Sequence, residues 1–313
     1  MAEWLYEEGI GETRAILVED GKILEAAIEL PGLRAGAIVA ATLASIAGVA
    51  RLEDGGEASV APLPGVTEGA IFHAEVIREP IPETGRPKPA RLRPTELPLR
   101  AGPGLAGRIG NPAPLAPFGP DRFEEAGWSE LLEEAASGEI AFAGGALRMS
   151  LTPAMTLFDV DGSLAPAALA EAGAAAAARA IRRFAITGSI GIDLPTLKRG
   201  RRQAAAAAVD AILLQPFERT AVNGFGFLQI VRRRERPSIP ELIRADPAGA
   251  AARALLRKAG RLTGPLRIHA AAGVVAAIEP FAATLERQVG GAVALLVQPG
   301  LAISAGDVES RQA

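Results

Sequence analysis

Apolar positions set the reading of this chain. From Met149 to Phe158 they run with few polar breaks, which predicts a largely buried strand. Asp159 and Asp161 follow, then Gly162 and Ser163, which signal a turn. Ala165 to Phe184 is nearly all alanine, with Glu171, Arg179, Arg182 and Arg183 as its charges, and predicts a helix. Gly188 closes that unit, and Ser189 to Ile192 is a second short apolar strand ending in Asp193. Two strands joined by a helix pair in parallel through a right-handed crossover. That connection carries Asp159 and Asp193 to one sheet edge, the carboxyl end where α/β sites lie.

The flanking pattern is shorter in period. Arg14 to Val18 and Ile23 to Leu30 enclose Glu19-Asp20-Gly21-Lys22 and predict a hairpin. Short strands at close spacing over residues 36 to 80 predict a small barrel, most economically a five-stranded OB-type one. Residues 81 to 120 are rich in Pro, Gly and Arg and predict a surface loop or linker. Asp121 to Ala136 and Leu197 to Leu214 predict helices, and Phe225 to Val231 a strand. Towards the end, Pro247–Ala259 and Val274–Gln288 read as helices, and Leu266–Ala271 and Ala292–Gln298 as strands, a small α/β appendage.

Composition narrows the chemistry. The chain has 313 residues, a formal net charge of -3, no cysteine and two histidines, His73 and His269. Disulfides and thiolate metal sites are excluded, and a histidine zinc site is not expected. The start, MAEWLYEEGIGE, lacks the apolar core of a signal peptide. Apolar runs are too short for a membrane span, so a cytoplasmic, soluble protein without a membrane partner is the expectation. Two carboxylates at one sheet edge suit Mg2+, which takes one or two carboxylates, keeps waters and draws on phosphate oxygens.

Three segments carry a family resemblance. TPAMTLFDVDG resembles the metal-binding strand of the ribonuclease E/G family, endoribonucleases that cut single-stranded RNA. RAIRRFAITGSIGID resembles that family's second aspartate strand with its preceding helix, and FGFLQIVRRRERPSI the strand that follows. The resemblance implies a multi-domain α+β and α/β chain with an RNase H-like and DNase I-like core, an inserted OB-fold barrel and a small C-terminal α/β domain. It divides the chain into 1–35 and 99–148 (RNase H-like), 36–98 (barrel), 149–240 (catalytic, DNase I-like) and 241–313. It implies Asp159 and Asp193 as Mg2+ ligands, with Mn2+ as a substitute, and places Asp161 where the family has an orienting asparagine. Lys88 falls near an RNA-gripping lysine.

Several residues depart from the family pattern. Arg51 and Val60 stand about where stacking aromatics are usual, and Pro153 replaces an upstream acid. The segment sensing a 5'-monophosphate is absent, so cleavage indifferent to the 5' end is expected. Without cysteines the family's zinc-linked tetramer is not expected, which leaves a homodimer open.

Other readings compete. An Asp-x-Asp-Gly can simply end a strand in an Asx turn. FDVDGS is also similar to the first motif of haloacid-dehalogenase phosphatases. A non-catalytic RNA-binding paralogue fits the lost aromatics. An EF-type calcium loop is disfavoured, because its twelfth position from Asp159 is Ala170. Arg182, Arg183, Lys198, Arg232, Arg233, Arg234 and Arg236, with Arg199, Arg201 and Arg202, are read either as an RNA path beside the acids or as a solvated face.

Overall fold

A computed structural model describes residues 1–310 apart from residues 84 and 86. The chain is mixed α/β with a small closed barrel, and its order is set by one alanine-rich helix. Strands β1 (Glu3–Glu8), β2 (Thr13–Glu19) and β3 (Lys22–Glu29) form an antiparallel N-terminal sheet. Strands β4 (Ile38–Ser45), β5 (Val49–Leu52), β6 (Glu57–Val60), β7 (Ile71–Arg78) and β8 (Ala90–Pro94) close into the barrel in the order β4-β5-β6-β8-β7. The barrel core is small-residue packing, with Ala50, Ala74 and Ala90 buried around Leu43, Val76 and Leu92.

Two short helices follow, α1 (Leu105–Arg108) and α2 (Arg122–Glu125), then α3 (Trp128–Ser137). The main sheet is assembled from β9 (Glu139–Phe142), β10 (Gly145–Leu151), β11 (Thr156–Gly162), β12 (Gly188–Asp193), β13 (Glu218–Arg219) and β14 (Phe227–Arg232), in the order β13-β14-β12-β11-β10-β9. Helix α4 (Pro166–Arg183) makes the crossover from β11 to β12, and α5 (Arg199–Asp210) leaves β12.

Helix α4 packs against the main sheet and against β3 of the N-terminal sheet. A helix between two sheets leaves little room for side chains, and this explains its alanine content by packing. Ala170, Ala174, Ala177 and Ala178 are fully buried. At Gly173 even a methyl would stand 2.3 Å from Val160 Cγ1, so the helix rests directly on β11.

Helices α6 (Ile239–Ala245), α7 (Pro247–Ala259), α8 (Ala272–Ile278) and α9 (Ala282–Val289) and strands β15 (Leu266–Ala270), β16 (Val293–Val297) and β17 (Asp307–Ser310) complete the chain. The last three strands form a separate small sheet with its own core. That unit is tied to the N-terminal sheet by charge. Arg257 Nε lies 2.9 Å from Glu7 Oε2 and its Nη1 3.0 Å from Glu124, while Arg261 Nε lies 3.0 Å from Asp121 and Arg253 Nε 3.0 Å from Glu12. Arg14, only 1% exposed, sits between Glu12 and Glu7.

Several expectations need correction. Met149 to Phe158 is two antiparallel strands, because Thr152 turns the chain by bonding the Met155 carbonyl and amide. The helix expected over Asp121–Ala136 breaks at Gly127, which has φ 90°. The Pro-rich stretch supplies the barrel's fifth strand, β8. Val274–Gln288 is interrupted by a 3-10 turn at Glu279–Phe281, which contains Pro280. Strands β1, β9 and β17 are additions. No helix among the described residues is long and apolar enough to cross a membrane.

Candidate active site

Strands β11 and β12 pair in parallel with Asp159 opposite Asp193, Phe158 opposite Ile192 and Leu157 opposite Gly191. The register follows from burial. Phe158, Val160, Ile190 and Ile192 point into the core, which leaves the alternate positions on the opposite face. Asp159, Asp161 and Asp193 are therefore all exposed on one face of the sheet. Neighbouring strands lie about 4.8 Å apart, and alternate residues of one strand about 6.6 Å apart. The three carboxylates thus fall within one small patch. None of them makes a hydrogen bond or ion pair to another described residue.

The floor beside the patch is apolar and tight. A methyl at Gly191 would meet the Phe227 ring at 2.5 Å and Leu157 Cδ2 at 2.7 Å, so these two side chains close over Gly191. Phe227 stands opposite Asp193 on β14. Two residues earlier Phe225 is 84% exposed. Its position is held by Asn223 Oδ1, which accepts from the amides of Phe225 at 2.9 Å and Phe227 at 3.0 Å. The Leu194 amide bonds Gly226 at 3.2 Å and draws this turn against the end of β12.

Two features of the patch escape sequence reasoning. Phe225 is one; the FGF spacing shows alternation but not which phenylalanine faces solvent. Arg148 is the other, since it stands opposite Asp159 on β10, a strand not foreseen as separate. It pairs with Glu139 at 3.2 Å, and that bond, followed by the fields of Glu139, Asp161 and Asp159, holds its pKa above the ordinary arginine value.

The basic residues divide between the two ends of the sheet. Lys198, Arg199 and Arg201 begin α5, directly after β12, and are exposed at the aspartate end. None of the three makes an ion pair among the described residues. Arg202 turns back to the Leu197 carbonyl at 2.9 Å.

The others lie at the opposite end. Arg232 is paired in register with Gly188, five residues and about 17 Å from Asp193 along β12. Here Arg182 bonds Glu25 at 2.7 Å, Arg183 bonds Glu134, and Arg234 bonds both Glu83 and Glu241. Arg236 lies 3.1 Å from Glu79, Arg233 3.0 Å from Glu235, and Lys88 2.5 Å from Glu83. Burial works against the Glu83 charge, but the bonds from Lys88 and Arg234 outweigh it and hold its carboxyl below the ordinary range. The structure thus joins Asp159, Asp161 and Asp193, leaves Lys198 exposed five residues beyond Asp193, and separates the acids from Arg182, Arg183, Arg232, Arg233, Arg234, Arg236 and Lys88. In the barrel Val60 is buried in the core, while Arg51 is exposed.

Among the described residues no three His, Asp or Glu side chains are already gathered as a metal cage. The donor set still fits a hard cation that retains its waters: unpaired carboxylates on adjacent strands, open to solvent. No protein-family model matches the chain, and no curated protein matches it at a significant level.

Proposed function

We propose that the chain is a metal-dependent endoribonuclease of the ribonuclease E/G type, hydrolysing phosphodiester bonds of single-stranded RNA at the aspartate end of the main sheet. The observation that carries this reading is the in-register placement of Asp159 and Asp193, both exposed and neither carboxylate bonded to another described residue. Asp159 and Asp193 would hold the cation, Mg2+ or Mn2+. A cation bound there supplies an activated water and offsets charge on the scissile phosphate. Asp161, next on the same strand face, orients the attacking water. Lys198, Arg199 and Arg201 receive flanking phosphates, and their unpaired state suits them to it. Phe225 offers a flat apolar face on which a base stacks.

The domain partition belongs to the same proposal. Residues 149–240 would be the DNase I-like catalytic part, and 1–35 with 99–148 the RNase H-like part. The barrel's third strand pairs in parallel with its fifth, and its first closes on its fourth, an arrangement that supports an OB-type barrel. Residues 241–313 would be the small C-terminal domain. A cytoplasmic location and a homodimer without a zinc link complete the reading.

One observation favours a second reading, a non-catalytic RNA-binding paralogue. Arg148 faces Asp159 across the β10–β11 ladder, and a guanidinium there can supply the positive charge a cation would otherwise bring. The two readings separate on a labelled single-stranded RNA with Mg2+ or Mn2+, using the natural chain, Asp159→Asn and Asp193→Asn. Cleavage by the natural chain alone supports the enzyme. Binding by all three without cleavage supports the paralogue. Release of a chromogenic phosphate from a small ester would point instead to a phosphohydrolase.

A further inference from the structure

The far end of the main sheet borders an open cavity of about 700 Å3 that the nuclease reading does not use. Its walls come from three parts of the chain: the end of β3 with Leu30 and Leu33, the barrel exit at Glu79–Pro82, and the main sheet with Ile239 and Leu242 from α6. The volume is that of a small-molecule site. Most of the lining is proline, leucine and isoleucine, so the occupant needs an apolar body.

The polar groups are unequal. Arg108 lies 2.5 Å from Glu29, and Arg236 lies 3.1 Å from Glu79. Arg233 pairs with Glu235. Arg232 has no such partner. Its Nη1 donates to the Ile186 carbonyl at 2.9 Å, its buried Nε has no acceptor, and among the described residues it makes no ion pair. Its nearest carboxylate of consequence, Glu25, is already bonded by Arg182. Burial accordingly pulls the Arg232 pKa below the ordinary arginine value. An unmatched guanidinium on an apolar wall is costly in an empty protein and is repaid by an anion.

We propose that this cavity binds a small organic acid, a monocarboxylate with an aliphatic or aromatic body, its carboxylate on Arg232 and its body between Leu30, Leu33 and Leu242. A single negative charge matches one unmatched cation. A phosphate dianion would carry more charge than Arg232 alone offsets, since Arg108, Arg236 and Arg233 are already committed to Glu29, Glu79 and Glu235 among the described residues. The proposal stands apart from the nuclease reading, since no residue is shared between the two sites.

Calorimetric titration of the full chain with octanoate tests it, with octanol and inorganic phosphate as controls. Saturable binding of octanoate is expected, with octanol and phosphate weaker. Arg232→Gln, which removes the charge and keeps a polar side chain, should weaken octanoate by about ten- to a hundredfold. Leu33→Trp, which fills the apolar part and leaves the guanidinium, should abolish binding while the circular dichroism spectrum stays that of the natural chain. Absence of saturable binding, equal affinity for octanol or phosphate, or unchanged affinity in Arg232→Gln would each overturn it.

Discussion

The two ends of the main sheet carry charged groups to opposite purposes. At the aspartate end Asp159, Asp161, Asp193 and Lys198 are exposed, and their side chains make no hydrogen bond or ion pair among the described residues. At the other end Arg182, Arg183, Arg234 and Arg236 each reach a glutamate on another part of the fold, and Lys88 bonds Glu83 within its own loop. Charges of the second kind join pieces of the fold, and those of the first kind wait for a partner from outside. A charge is informative about function when its own chain leaves it unmatched. Arg232 is the exception at the architectural end, and it lines the cavity.

The sharpest way to break this contrast is to exchange effects between the two classes. Arg257, 7% exposed at its side chain, serves Glu7, Asp121 and Glu124 together. Arg257→Met leaves these acids without their shared cation and should cost about 3–5 kcal/mol in denaturant melts. Any RNA affinity of the folded variant should stay unchanged. Phe225→Ala should act in the reverse sense. Its side chain packs on little, so melting should hold, while RNA binding weakens by about 1–3 kcal/mol, the worth of one stacked base. Equal loss of stability in Phe225→Ala would make it an ordinary packing residue.

Acid should find the paired class first. Burial opposes the charge on Asp121, yet the bonds from Arg257 and the Glu124 amide hold its carboxyl below the ordinary aspartate value, as Glu83 is held by Lys88 and Arg234. Folded values below unfolded ones contribute stability that is complete above the unfolded carboxyl range and is lost as pH falls through the folded values. The melting temperature should therefore drop on acidification below that range, and less steeply in Arg257→Met. The smallest effect belongs to Arg233, 72% exposed with one surface partner. Arg233→Ala should move stability by no more than about 0.5 kcal/mol.

Much of the aspartate end was legible in the chain. The apolar runs around Asp159 and Asp193 and the alanine helix between them dictate a parallel pair, and the register places the two acids side by side. The turn at Thr152–Met155 was hidden, because apolar residues on both sides of it read as one strand. The fate of the arginines was hidden for a different reason. Their partners Glu25, Glu83 and Glu134 lie tens to hundreds of positions away, and only the packed fold brings them together. Alanine in α4 predicts a helix but not its burial; Gly173 against Val160 shows the sheet-to-helix spacing that demands small residues there.

The most direct test of the account is the rate of RNA cleavage in Mg2+ for the natural chain, Asp159→Asn, Asp193→Asn and the double variant. Two ligands of one ion act as a unit, so each single change should remove nearly all activity and the double change should add almost nothing. Losses that multiply independently, or activity that survives both substitutions, would contradict a shared metal site at the aspartate end.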